Sequence, residues 1–251
     1  MTVQLGGGQT ALLFLVMMRC TGLVFAAPLL GHHAIPTLVK FGLAACFTMA
    51  LANPAGASAG SLPMLIAAPI ELVIGLSLGF ILSLAFEAVE LAGRVVSIQL
   101  GLSLGSLFSP TQDDSATAID PFFSVLAGLL FLAMGLHLAI VQVLANSFVA
   151  YPVGSGWPSD LSMTGAQTIA LAMELGVRVA LPIALVLLLV ELTVALLARA
   201  IPQINVFILG LPLKMLVGIA VLALGMPALV SGASAIFRFV FQAASGGAVS
   251  G

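Results

Sequence analysis

Few residues in this chain can do chemistry, and their spacing narrows what that chemistry is. Seven Lys or Arg and nine Asp or Glu occur in 251 residues. Three of the acids, Asp113, Asp114 and Asp120, fall inside eight residues, in a polar stretch bracketed by Pro110 and Pro121. Two Glu–Arg pairs, Glu90–Arg94 and Glu174–Arg178, have i,i+4 helical spacing with the acid first, the order that suits the helix dipole. That spacing predicts mutual neutralisation. Glu71, Glu191 and Lys214 have no such neighbour in their own segments. A lone charge at a bilayer centre costs about 2.5–3.5 kcal/mol on insertion scales, so these three are expected to meet another helix, another subunit or water.

Nucleophilic and metal chemistry are poorly served. The pattern G-x-S-x-G occurs at residues 56–60, 75–79 and 101–105. A nucleophile elbow needs a strand-to-helix turn, and none is expected here. A rhomboid-like protease would need a His beside Ser58 or Ser77, and only His137 falls within an apolar segment. The two GLSLG copies at 75–79 and 101–105 are also GxxxG, which lets helix backbones approach closely. Tight packing is the reading adopted. His32–His33 has no Asp, Glu or Cys nearby in sequence and reads as a polar turn. Cys20 and Cys46 are single and far apart, with no CxxC spacing, and read as small residues in helix interfaces. No phosphate-binding loop, nucleotide motif or zinc spacing occurs. The expectation is a protein that is not an enzyme, without cofactor or metal.

The elements that position these residues are set by composition. The chain is 61% hydrophobic and 6% charged, against roughly 25% charged in an ordinary soluble domain. A soluble protein of this size cannot hide that much apolar surface, so an all-α integral membrane protein is expected. The net charge of −2 is too small to indicate nucleic acid or anionic lipid as the main partner. Six apolar helical segments, each near the ~20 residues a bilayer requires, fall at 11–30, 35–52, 62–86, 122–145, 169–197 and 206–230. The third continues without a clear stop to Leu107. Pro63, Pro69, Pro182, Pro212 and Pro227 lie in or near these segments, where each is expected to kink or break a helix. The first ten residues contain no Lys or Arg, so 11–30 reads as a retained helix, with Arg19 inside it. Lys40, Arg94 and Arg199 mark three connections as cytoplasmic by the positive-inside rule, which puts both termini outside. The whole chain, 1–251, reads as one membrane-embedded domain with a flexible tail at about 242–251.

The working stretch is expected at 93–123. A polar loop between membrane helices must line water or pack within protein, because lipid cannot satisfy its backbone groups.

Three motifs connect these readings to a family. Gln99-Leu-Gly101-Leu-Ser103, then GLHLAIVQVLANSFVAYPVG at 135–154, then IPQINVFILGLPLK at 201–214 together resemble the flagellar biosynthetic protein FliR family, which includes the equivalent subunit of type III secretion injectisomes. The likeness covers roughly residues 10–240 in the same order. Its most specific block holds Pro202, Gln203, Asn205, Phe207, Gly210 and Pro212. The resemblance implies kinked helical hairpins that stack with partner subunits into an export gate in the bacterial inner membrane, at the flagellar basal body. It implies a single copy of this chain among several FliP-like and FliQ-like subunits, with other export apparatus proteins, and unfolded secreted proteins as substrates. It also implies that a loop plugs the closed pore. That loop follows the Gln-x-Gly-x-Ser helix and maps to Ser106, Leu107, Phe108, Ser109, Pro110, Asp113, Asp114, Ile119 and Asp120. The family often has an acid before the proline, whereas Ser109 stands there here. The pattern SF-x-x-(Y/H)-P-x-G at 147–154 tilts the resemblance to the flagellar branch. Injectisome membership, a small-molecule secondary transporter built on broken helices and a rhomboid-like protease are the alternatives.

Overall fold

A computed structural model describes residues 7–32, 34–55, 62–101, 119–200 and 206–245. The described residues contain seven helices and no strand. They are α1 (Gly7–Ala26), α2 (Thr37–Ala55), α3 (Met64–Gln99), α4 (Ile119–Ala133), α5 (Leu136–Ala150), α6 (Ser159–Ala200) and α7 (Val206–Ala244). The chain is therefore an all-α protein, and its apolar helices are those of a membrane protein.

Turn chemistry explains the helix boundaries. The carbonyl of Pro63 accepts from the amides of Ile66 and Ala67, opening α3 where the missing proline N–H is not needed. α3 then runs through Pro69 for 36 residues. It stops at Gly101, which adopts φ 75° and donates to Ile98, the left-handed ending that glycine tolerates best. Pro182 lies inside α6, and Pro212 and Pro227 lie inside α7. None of these prolines ends a helix, so of the two expected outcomes, a kink or a break, no break occurs at them. Proline is tolerated inside membrane helices more readily than in soluble ones, and all four of these prolines lie on exposed faces.

The break falls instead between α4 and α5, where Gly135 has φ 68° and the helix axes bend by 68°. The single segment expected at 122–145 is thus two helices of 15 residues each. Among the described residues three helical stretches, Met64–Gln99, Gly165–Leu197 and Pro212–Ala244, are long and apolar enough to cross a membrane, and the bent pair makes a fourth if it counts as one. α3, α6 and α7 have 36, 42 and 39 residues. At about 1.5 Å per residue they are roughly twice as long as a ~30 Å hydrocarbon core.

Contacts divide the chain into two compact units. The first takes Met1–Ala85, Phe131–Leu171 and Phe237–Gly251. In it α1 packs on α2, and α2 on α5. Gly75 and Gly79 bring α3 against α1: a Cβ on Gly75 would strike the Arg19 carbonyl, and one on Gly79 would lie 2.7 Å from the Ala26 Cβ. The first GLSLG is a helix-packing surface, as its spacing predicts. Phe131 closes the unit against Phe237 and Phe241, with ring centroids 6.5 and 6.4 Å apart. Lys40 is buried, donating to the Gly31 carbonyl at 2.7 Å. It staples the α1–α2 connection and is not a free loop charge.

The second unit takes Phe86–Leu130 and Ala172–Ile236. Its core is Val89, Val96, Leu100, Phe123, Ile183, Leu187 and Leu229. A Cβ on Gly176 would collide with the Ala88 carbonyl, so α3 and α6 cross at van der Waals contact.

Candidate gating site

Most of the loop expected to plug a pore, including Ser106, Leu107, Phe108, Ser109, Pro110, Asp113 and Asp114, lies outside the described residues. Ile119 and Asp120 are described, as are Gln99 and Gly101 on the other side. They form the two feet of the segment 102–118. One foot is the last turn of α3, closed by Gly101; the other is the first turn of α4, where Asp120 favours the positive end of the helix dipole. The Ser97 hydroxyl donates to Asp120 Oδ1 at 2.9 Å. One turn further from the loop, Phe123 is buried against Gly93, and a Cβ there would meet the ring at 2.7 Å. The feet are thus held side by side. Asp120, expected among the plug residues, belongs to the anchor.

The intramembrane charges resolve into pairs. Glu174 and Arg178 meet at 2.6 Å, as their spacing predicts, on an exposed face. Arg94 differs: it bonds Glu87 at 3.0 Å and lies 4.0 Å from Glu90. Residues seven apart share a helix face, and the long arginine reaches back two turns. The three charges without a local neighbour are not unpaired. Glu191 on α6 takes Lys214 of α7 at 3.2 Å. Glu71 on α3 takes Arg19 of α1 at 2.6 Å, with both side chains buried. Each has found another helix of the same chain, so none requires a second subunit for neutralisation. Arg19 was the residue sequence reasoning passed over; the signal was a solitary arginine inside an apolar segment.

Of the other motif residues, Ser103, Pro202, Gln203 and Asn205 lie outside the described residues. Phe207 is in the first turn of α7, Gly210 is half-buried and Pro212 is exposed. The Ser77 hydroxyl donates to the Val73 carbonyl of its own helix. Among the described residues no three His, Cys, Asp or Glu side chains come together as a metal site.

Long kinked or unkinked apolar helices, small-residue crossings and a pinned loop are common to many membrane proteins. What decides among them is likeness along the whole chain. Residues 10–240 match the family model described as bacterial export proteins, family 1. The chain belongs to that family. It is 33% identical over 238 residues to the flagellar biosynthetic protein FliR of Escherichia coli K12, covering 92% of this chain and 90% of that one. The FliR of Aquifex aeolicus is 31% identical over 235 residues, 92% and 91% of the two chains. The FliR of Bacillus subtilis is 28% identical over 217 residues, 83% of each. In this chain the contacts Ser97–Asp120 and Gly93–Phe123 flank the segment that follows the Gln99-x-Gly101 motif.

Proposed function

We propose that this chain is the FliR-type subunit of the flagellar type III protein export gate, helping to form and to plug the channel through which unfolded flagellar proteins leave the cell. Its role is transport and not catalysis. It sits in the bacterial inner membrane at the flagellar basal body, as one copy assembled with FliP-like and FliQ-like subunits. Membership of the export family, with flagellar relatives matching over most of the chain, supports this over an injectisome role.

One observation supports the plug in particular. The described residues on either side of 102–118 are joined by Ser97–Asp120 and Phe123–Gly93, which fixes the base of that segment. An export gate must pass an unfolded chain yet hold ions back when idle, and a segment anchored at its base suits both needs. Pro110 stops helix from running through it. Phe108, Leu107 and Ile119 offer apolar packing to a closed constriction, while Asp113 and Asp114 keep the rest solvated.

The test is deletion of residues 111–117 in the assembled complex. Resting conductance in planar bilayers is expected to rise while substrate export persists in part. Equal resting conductance of intact and deleted complexes would refute the plug.

A further inference from the structure

The pattern SF-x-x-Y-P-x-G served above only as a mark of family. In the first unit its named positions surround one buried ion pair. Arg19 Nε donates to Glu71 Oε2 at 2.6 Å. Arg19 Nη1 donates to the carbonyls of Ser147 and Tyr151, both at 2.9 Å, and lies 3.4 Å from the Ser147 hydroxyl. The guanidinium carbon stands 4.6 Å over the Phe148 ring. The second oxygen of Glu71, Oε1, accepts from the Gly154 amide at 2.9 Å. Pro152, between them, has no N–H to satisfy. Arg19 and Glu71 are 0% and 1% exposed.

The partners are mostly backbone, and they sit where a helix ends. α5 finishes at Ala150; the Ser147 carbonyl there also accepts from the Tyr151 amide at 2.9 Å, and the Tyr151 carbonyl lies one residue past the helix. In water such carbonyls are hydrated; in a lipid-embedded protein they need an internal donor. The planar guanidinium supplies several donors in a fixed fork, together with positive charge at the negative end of the helix dipole. Glu71 balances that charge and satisfies the amide that follows the turn.

We infer that Arg19 and Glu71 act as a cap supplied from other helices, a clamp that ends α5 inside the protein and holds the turn at 151–158 in place. The second half of the bent α4–α5 span thus terminates on α1 and α3. The role differs from that of a simple buried salt bridge. A simple pair can be exchanged for two apolar side chains with little loss. Here the exchange takes the Arg19 donor from the Tyr151 carbonyl and the Glu71 acceptor from the Gly154 amide, and leaves the Ser147 carbonyl only the Tyr151 amide; the turn should detach while the helices stay packed.

Two thiols read these events separately in the full-length chain within native membranes. Cys20 is fully buried beside Arg19 and reports on α1 packing, while Val153, 2% exposed, reports on the turn once changed to cysteine. The exposed Cys46 is replaced by serine in both backgrounds, and Cys20 by serine in the Val153→Cys background. With a small membrane-permeant maleimide, R19L/E71L is expected to speed labelling at position 153 by roughly tenfold or more, as local opening requires, and to change labelling at Cys20 by less than about twofold. R19K, with one nitrogen where the fork had two, is expected to fall between wild type and the double variant at position 153. Continued protection of position 153 in R19L/E71L would mean that packing alone holds the turn. Equal exposure of both thiols would make the pair a general support of the core. Either result overturns the clamp.

Discussion

Glu71→Leu is the sharpest single test of the packing. It leaves the Arg19 guanidinium, fully buried, without the carboxylate 2.6 Å away, and it deprives the Gly154 amide of its acceptor. Breaking a buried pair from one side costs about 3–5 kcal/mol, because the remaining charge is uncompensated. An orphaned buried amide costs about 1–3 kcal/mol more, but the two penalties overlap if the turn lifts and admits water. A net loss of about 4 kcal/mol is a large share of a typical total of 5–15 kcal/mol. At roughly 2–4 °C per kcal/mol for a chain of this size, Tm should fall by about 8–16 °C. Glu71→Gln should lose less, since its amide oxygen can still accept from Gly154. The double variant R19L/E71L should recover about half of the loss, because no charge is left stranded. The assay is thermal unfolding of the detergent-purified assembly carrying each variant. A Glu71→Leu midpoint within a degree or two of wild type would refute the reasoning, as would a double variant less stable than the single.

Ser97→Ala removes the hydroxyl that ties α3 to Asp120. Discounted for a half-buried site, the loss is about 1 kcal/mol, and resting conductance of the assembled gate should rise by roughly fivefold; no rise would detach the foot from gating. Gly75→Val drives a side chain into the Arg19 carbonyl and should force α1 and α3 apart at about 1–3 kcal/mol, seen as reduced accumulation in membranes. Gly135→Ala meets no neighbour within 4 Å but must keep φ 68°, so its cost of about 1 kcal/mol is conformational, and Asn should be tolerated better than Ala. Gly128→Ala, inside α4 with the same open space, should instead stabilise by about 0.5–1 kcal/mol, and a lower melting temperature for it would contradict the helix assignment.

What the sequence determined by itself is what depends on composition and on neighbours within two turns. Apolar content alone settles the membrane class, since there is no other place for so much hydrophobic surface. The GLSLG at 75–79 announces a close helix crossing because glycine spacing and helical period act locally. Glu174–Arg178 is legible for the same reason. Gly93–Phe123 could be singled out as a polar interruption, and its ends do form the anchored feet of a loop. The tertiary structure decided everything that joins distant residues. Glu71 and Arg19 are 52 positions apart, and Arg19 and Ser147 are 128 apart; no periodicity connects them, and only the folding of α1, α3 and α5 into one unit does. Glu191 and Lys214 looked solitary because their partners stand on the next helix. The chain bends at Gly135, where a left-handed glycine separates two helices, and runs on through Pro69, Pro182, Pro212 and Pro227. The SF-x-x-Y-P-x-G pattern was visible as letters, but its work is to meet a charge on another helix, and that charge is brought to it only by the fold.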